Sequence, residues 1–463
     1  MHIRTTIVAA VASLSIAGTG LGQLSFEFTD SGQELGNRNS RSIAVGDLDG
    51  DGDLDAMVAN GGDPNAIWFN DGTGVFTESS QVLADEISLS VTLGDLDGDG
   101  DLDAVCANYY GLPNTVWLND GTGFFDGPVQ DLGNGWSVQG VLGDLDLDGD
   151  LDLVVANAGA PNTMWRNDGG GVFTEFFQFD ADLSYSAALG DLNGDGLLDV
   201  VVANYEDPNT IWLNNDGVLF TQASTFGNNR STNVALGDLD GDGDLDVMVA
   251  NEAQPNRVWT NDGTGVFSET DAFGGWNSWA VGLGDFDEDG DLDAMIANCC
   301  GPKNQVYTND GTGSFTETQS FGENSNSYGL ALGDFDGDGD PDAMIANSNA
   351  ANTVWFNTVQ GACCVYGVCT QLDVAGCQNI GGEYVGGNCV DAFCESAAPT
   401  GACCVSSGCT VNTESACTDL GGTWTEDGEC DDCPATCAGD TNGDGTVDVF
   451  DLLAVIDDWG TCP

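Results

Sequence analysis

Acidic loops of nine residues, repeated along the chain, hold most of its chemistry. The string Gly-Asp-Leu-Asp-Gly-Asp-Gly-Asp-Leu-Asp, read at residues 46–55, recurs in strong or weak form seven times, at intervals of 48, 49, 47, 47, 47 and 49 residues. Numbered from the first aspartate of each loop, the odd positions are Asp47, Asp49, Asp51, Asp53 and Asp55, then Asp95, Asp97, Asp99, Asp101 and Asp103, then Asp144, Asp146, Asp148, Asp150 and Asp152. The fourth copy carries Asp191, Asn193, Asp195, Leu197 and Asp199, and the fifth Asp238, Asp240, Asp242, Asp244 and Asp246. The last two carry Asp285, Asp287, Asp289, Asp291 and Asp293, and Asp334, Asp336, Asp338, Asp340 and Asp342. Position 6 is glycine in every copy. Positions 1, 3, 5 and 9 offer side-chain oxygens, position 7 offers its backbone carbonyl, and position 6 allows the sharp turn. Calcium takes about 6 to 8 oxygens, and this spacing folds that many around one point. Two carboxylates about 4 Å apart repel by roughly 1 kcal/mol in water and about 4 kcal/mol at an effective dielectric near 20, a penalty that a divalent cation reverses. Thirty-three aspartates fall in these loops, five in each of six copies and three in the copy at Asp191. A salt-adapted surface would scatter its charge, not phase it with glycine.

Composition narrows the function classes. Against 76 Asp and Glu the 463 residues include 7 Lys and Arg, for a formal charge of −69, while 41% are hydrophobic and can build a core. That charge repels phosphate backbones and anionic lipid heads, so nucleic-acid and membrane-surface partners are set aside. The one histidine, His2, lies in a segment read as removable, which takes away histidine-based catalysis and histidine-ligated zinc. Residues 1–22, with Arg4 ahead of a short apolar run and a small-residue end, read as a secretory signal peptide in preference to a buried first helix. No later segment is apolar for long enough to span a bilayer. The expected location is therefore outside the cell or on its surface. Seventeen cysteines in an exported chain point to disulfides, yet only Cys106, Cys299 and Cys300 precede residue 360.

Four strands are needed to place each acidic loop. An alternating stretch such as Val91–Leu93 enters the loop, and a nearly continuous apolar run such as Ala56–Ala59 leaves it. A third follows Pro-Asn and holds an aromatic: Trp68, Trp117, Trp165, Trp212, Trp259, Tyr307 or Trp355. Asn-Asp-Gly-Thr-Gly then makes a hairpin turn into the fourth, because Asp-Gly tolerates positive φ. Four antiparallel strands in seven copies predict an all-β, seven-bladed β-propeller over residues 23–358. The last copy lacks a fourth strand, and Leu24–Phe28 is expected to supply it beside Trp355, in preference to an open solenoid. The mid-strand aromatics read as blade-to-blade core in preference to ligand-stacking sites.

With these motifs in view, the units resemble the FG-GAP/VCBS repeats of integrin alpha-subunit propellers and of many exported bacterial proteins, over about residues 24–358. The resemblance implies that calcium sits in the loop between a blade's first two strands as a structural brace, and that ligands bind the opposite face. Position 12 is apolar (Val58, Cys106, Val155), unlike the bidentate acid of a helix–loop–helix site. On that opposite face fall the Ala-Asn-x-x-x-Pro-Asn loops, Tyr109 and Tyr110, and the entry loops with Trp136, Tyr185, Trp276, Trp279 and Tyr328. Aromatics with Asn and Gly suit a glycan or protein ligand, or equally plug the mouth of a channel. Cys299 and Cys300 form either a vicinal disulfide or two bonds elsewhere, and Cys106 reads as a buried free thiol.

Residues 361–394 and 401–433 repeat the pattern Gly-Ala-Cys-Cys-x₄-Cys and read as two small disulfide-stapled modules in preference to zinc ribbons. In the tail, residues 437–463, a further calcium loop is formed by Asp440, Asn442, Asp444, Thr446, Asp448 and Asp451. A helix bearing Leu452, Val455, Ile456 and Trp459 is expected after it, so the fold class ends in an EF-hand-like loop–helix tail. This tail resembles half of a dockerin, of the single-copy GC type, which implies an anchoring partner. Seven calcium ions in the propeller and one in the tail are expected. The functional expectation is a secreted, non-catalytic adhesion or ligand-binding protein whose partner is an extracellular protein or glycan. The alternatives are a polysaccharide lyase or hydrolase and a calcium-dependent lectin; no catalytic residue is assigned, because no acid pair stands apart from the loops.

Overall fold

A computed structural model describes residues 25–83, 86–301, 303–322 and 326–365, and beyond them 368–372, 377, 383–384, 401–405, 408–412 and 423–425. The chain divides into two compact units, Met1–Val359 and Gln360–Pro463. Every element named in the described residues is a strand. No helix there is long and apolar enough to cross a membrane. The signal peptide and the loop–helix tail, with Asp440, Asn442, Asp444, Thr446, Asp448 and Asp451, lie outside the described residues.

In the first unit the strands come in order as β1 (Ser25–Gly46), β2 (Asp55–Asn60), β3 (Ala66–Asn70) and β4 (Phe76–Glu78), then β5 (Ser88–Gly94), β6 (Asp103–Asn108), β7 (Asn114–Asn119) and β8 (Phe125–Leu132). Next come β9 (Ser137–Gly143), β10 (Asp152–Asn157), β11 (Asn162–Asn167) and β12 (Phe173–Phe179), followed by β13 (Ser184–Gly190), β14 (Asp199–Asn204), β15 (Asn209–Asn214) and β16 (Phe220–Phe226). The remainder are β17 (Ser231–Gly237), β18 (Asp246–Asn251), β19 (Asn256–Asn261), β20 (Phe267–Phe273), β21 (Ser278–Gly284), β22 (Asp293–Asn298), β23 (Asn304–Asn309), β24 (Phe315–Phe321), β25 (Ser327–Gly333) and β26 (Asp342–Val365). Each second strand is buried at every position, as in β2 and β6, because sheets pack on both of its faces; its near-continuous apolar run reflects that. Each fourth strand has solvent on one side, and β8 and β16 are exposed along most of their length.

Seven separate blades are not what forms. The strands join into six sheets: five of four strands, and one larger sheet in the order β25-β26-β1-β2-β3-β4. The reason lies in β1, which runs 22 residues without a break and hydrogen-bonds β26 as well as β2, so the first and last repeats fuse. Its last residues pair with β2 from Ser40↔Asn60 to Gly46↔Asp55, with a register shift between Ser40 and Ser42. The expected seven-bladed ring is therefore corrected to an all-β, six-bladed propeller, one blade per sheet, with β1, β5, β9, β13, β17, β21 and β25 in succession along its inner edge.

The core lies between neighbouring sheets. Leu48, Met57 and Ile67 of one repeat pack with Val91, Cys106, Trp117 and Phe125 of the next. Trp68, Trp117, Trp165 and Tyr307 are buried, and Trp212, Trp259 and Trp355 meet the preceding repeat's Phe179, Phe226 and Phe321 at 5.0, 5.3 and 4.6 Å between ring centroids. These aromatics are core. At the fused sheet Phe28 is buried edge-on against Phe286 at 5.2 Å and beside Phe321 at 6.1 Å.

In the second unit, residues 361–365 of β26 pair with β27 (Val368–Leu372) and β28 (Glu383–Tyr384). The same three-stranded plan recurs as β29 (Gly401–Val405), β30 (Gly408–Asn412) and β31 (Thr423–Thr425). Cys363 is bonded to Cys377.

Truncating Phe28 should open a cavity where the chain closes on itself. Phe28→Ala is expected to destabilise by about 3–5 kcal/mol in denaturant unfolding, whereas Val82→Ser, at an exposed position, should stay within about 0.5 kcal/mol of the parent.

Candidate metal centres and the opposite aromatic face

Each acidic loop joins an inner strand to the buried strand beside it, and its own backbone shapes it. The Asp47 carboxylate accepts from Gly50 N at 2.8 Å and Gly52 N at 3.2 Å, and Asp51 accepts from Asp53 N at 3.0 Å. Asp55 accepts from Leu48 N at 3.0 Å and from Asn70 N at 2.8 Å. The fifth copy repeats this with Asp238 on Gly241 and Gly243 and Asp246 on Leu239 and Asn261. Gly52 has φ +100°, as its place in the turn requires. Position 4 is left-handed too, and there Leu147 and Glu288 stand where other copies have glycine.

Convergence of carboxylates follows. One oxygen from each of Asp47, Asp49 and Asp55 lies within 4.8 Å of the others, and the same holds for Asp95, Asp97 and Asp99. Asp144, Asp146 and Asp152, Asp238, Asp240 and Asp246, and Asp285, Asp287 and Asp289 converge likewise. Positions 1 and 3 thus meet position 5 or 9. The position-7 side chains do not join them: Asp53, Asp101, Asp150, Asp244 and Asp291 rest against the hairpin glycines Gly72, Gly121, Gly169, Gly263 and Gly311, where a Cβ would lie 2.4–2.5 Å from a carboxylate oxygen. At position 3, Asp146 Oδ1 and Asp240 Oδ1 are buried with no hydrogen-bond partner, which a cation at the loop would satisfy. A hard, oxygen-liking cation therefore fits this donor set. The third loop has an extra feature, since Arg166 Nε lies 2.7 Å from Asp146 Oδ2.

Burial also shifts the position-9 acids. It pushes Asp55, Asp103, Asp152, Asp199 and Asp246 up to about 6, Asp342 to about 7 and Asp293 to about 8, against backbone hydrogen bonds that pull the other way. In Asp49, Asp97 and Asp240 burial again raises the pKa first, with the neighbouring loop acids adding to it.

A set of asparagines, whose place at the hairpin turns suggests only a turn role, ties the loops together. Asn119 Nδ2 donates to Leu102 O in its own repeat and to Leu48 O in the preceding loop, at 3.1 and 2.8 Å. Asn167, Asn214, Asn261, Asn309 and Asn357 reach back to Leu96, Leu145, Leu192, Leu239 and Phe286, and Asn70 closes the circuit on Phe335 O at 2.8 Å. The signal was present as an invariant Asn ahead of each hairpin, but its partner is about 70 residues away.

At the other end of the inner strands lies a cavity of about 640 Å³, reached by Arg41, Leu89, Val138, Asn233, Trp279 and Tyr328 among others. The paired asparagines of the Ala-Asn-x-x-x-Pro-Asn loops do not face a ligand: Asn60 and Asn65 are buried, Asn60 N donates to Asn65 Oδ1 at 2.9 Å, and Asn65 Nδ2 donates to Ser88 Oγ at 2.9 Å. The aromatics do gather there. Tyr109, Tyr110 and Trp136 form one cluster with centroids 4.6–5.9 Å apart, and Trp136 and Tyr110 are exposed. Tyr205, Tyr185, Trp279 and Tyr328 form a second, in an arc stepped at 5.0, 6.2 and 4.8 Å. Trp276 stands apart beside the vicinal Cys299–Cys300 disulfide, and Cys106 is a buried free thiol.

A protein-family model described as an FG-GAP-like repeat matches six stretches: residues 47–106, 95–155, 144–202, 191–249, 238–296 and 289–345. Each stretch runs from one acidic loop into the strand after the next. No curated protein is significantly similar to the chain in sequence. Among solved structures, BBS1N in complex with ARL6DN, soaked with mercury, is similar at a TM-score of 0.52 and 11% identity over 71% of this chain and 96% of that one. The same complex soaked with lead gives 0.51 and 12% over the same shares. A structure on recognition of non-reducing terminal N-acetylglucosamine by an Agrocybe aegerita protein gives 0.46 and 20%, over 67% and 86%. The first two likenesses show the fold alone.

Between the ordinary aspartate value of about 3.9 and the raised values above, the folded state binds more protons than the unfolded one, so stability falls as pH rises. In chelator-treated protein the melting temperature is expected to be higher at about pH 5 than at about pH 7.5, and one that climbs with pH would contradict the burial of these acids.

Proposed function

The chain belongs to the FG-GAP-like repeat family, and on that footing we propose that it is an exported, calcium-braced propeller that binds an extracellular protein or glycan without catalysing a reaction on it. The observation that carries this reading is a division of labour along the inner strands. Their C-terminal ends run into converging carboxylates, and their other ends open on a cavity rimmed by aromatics. The first arrangement suits a brace and the second suits recognition.

Calcium would be held by positions 1, 3, 5 and 9 of each loop, with the position-7 carbonyl, and would supply charge neutralisation only. The chain's own residues do the rest. Asp55 and its equivalents fix the loop to the third strand through Asn70 and its equivalents, and those asparagines pin each loop to the next repeat. Bracing the loops thereby steadies neighbouring sheets relative to one another and holds the far face in one shape. Non-catalytic binding is favoured because the cavity is lined without aspartate or glutamate to act as acid or base; the acids outside the loops whose pKa is raised, Asp182 and Glu86, are not among its lining residues. The tail at 437–463 would dock the protein on an anchoring partner.

Calcium that binds only the folded state at about 100 times its dissociation constant adds about 2.7 kcal/mol per site. Chelation is therefore expected to lower the melting temperature by about 10 °C or more and to restore it on adding calcium back. An unchanged melting temperature would refute the brace. Binding to extracellular-matrix and glycan arrays should weaken in Trp136→Ala and Tyr110→Ala with no release of reducing sugar, and sugar release would make the protein an enzyme instead.

A further inference from the structure

The cavity on the far side of the inner strands has a charge that its surroundings do not predict. The whole chain has 76 acidic and 7 basic residues, yet no aspartate or glutamate lines the cavity and its one charged lining residue is Arg41. Arg41 lies with its guanidinium 4.2 Å from the centre of the Tyr328 ring, at one end of the arc that continues through Trp279, Tyr185 and Tyr205. The arc's other end is capped by Arg230, 5.6 Å from the Tyr205 ring, but that arginine is already paired with Glu206 at 2.8 Å.

Two donors in this wall are buried and unanswered. Arg41 Nε and Trp279 Nε1 both lack a hydrogen-bond partner. Orphaned buried donors are rare in folded proteins and carry a desolvation penalty of about 1–3 kcal/mol each, which an incoming acceptor would relieve. Two other polar side chains of the wall are spoken for: Thr232 Oγ1 donates to Ser278 O at 2.8 Å, and Asn233 is bonded to Ser186 Oγ and to Val281 N. What the cavity offers a ligand is thus ring faces, one guanidinium, one indole N–H and the neutral hydroxyls of residues such as Ser42, Thr92 and Tyr185.

From this we infer that the cavity binds a carboxylate-bearing saccharide, such as a uronic acid unit, with the carboxylate on Arg41 and Trp279 Nε1 and a sugar face on the aromatic arc. A single arginine with no lysine matches one negative charge better than a doubly charged phosphate, and its planar fork suits a carboxylate. The apolar faces of pyranose rings suit stacking on Trp279 and Tyr328. The volume of about 640 Å³ lies within the usual range for small-ligand sites. This inference rests on the ligand-face reading above and names the ligand class.

Calcium-saturated full-length protein, titrated with tri-galacturonate and with its methyl ester by calorimetry, tests it. The acid should bind at least tenfold tighter than the ester. Arg41→Met should bring the two within about twofold, and Trp279→Phe, which keeps a ring but removes the N–H, should weaken the acid about fivefold, with folding of both checked by circular dichroism. If Arg41→Met fails to fold, Trp279→Phe and the charge-keeping Arg41→Lys carry the test, the latter retaining a preference for the acid. Equal binding of acid and ester, no binding of either, or a preference that survives Arg41→Met overturns the inference. If the ester binds as well as the acid and Trp279→Phe weakens both, the ligand class is wrong while the ligand-face reading stands. If neither binds and array binding also ignores Trp136→Ala and Tyr110→Ala, both readings fall.

Discussion

Carboxylate oxygens held within 4.8 Å of one another by their own loop's hydrogen bonds cannot all stay ionised cheaply without a counter-charge. That constraint recurs along the chain, and the geometry leaves little room to relax it. Position 1 is clamped by two glycine N–H groups, and position 9 is fixed between the loop and the third strand. Burial adds to the mutual repulsion by driving the position-9 acids toward neutrality. A cation at the loop would remove both problems together. Lysine or arginine could do so only locally, as Arg166 does against Asp146.

The loops matter beyond themselves because of where they are attached. Each asparagine ahead of a hairpin donates to the preceding loop, so an acidic loop is a joint between neighbouring repeats and not an ornament on one of them. The circuit closes through Asn70 and Phe335, at the same junction where β1 fuses the first and last repeats and Phe28 packs against Phe286. Backbone pairing, side-chain braces and aromatic packing thus coincide at the point where the chain meets its own beginning.

Much of this was legible in the residues. The acidic loops announced themselves because aspartate at alternate positions with glycine at position 6 has few other uses. The strands on either side followed from their alternating and continuous apolar runs. The mid-strand aromatics were placed in the core by their regular spacing, and Trp68 and Trp117 are indeed buried. The sheet count was not legible, since repeats are counted along the chain whereas sheets depend on how far β1 stays extended. Asn60 and Asn65 looked like binding residues because sequence shows a polar loop but not the partners that consume it. The cross-repeat asparagines and the strained position-4 residues Leu147 and Glu288 were missed for the same reason. So was the cavity free of acids, which exists only once seven strands from distant parts of the chain share one wall.

The stoichiometry of tightly bound calcium in the full-length protein, measured by equilibrium dialysis, tests the central claim most directly. At least five ions per chain are expected, one for each convergent set, and Asp238→Ala with Asp240→Ala should remove one of them. A chain that takes up one ion or none while remaining folded would contradict the account.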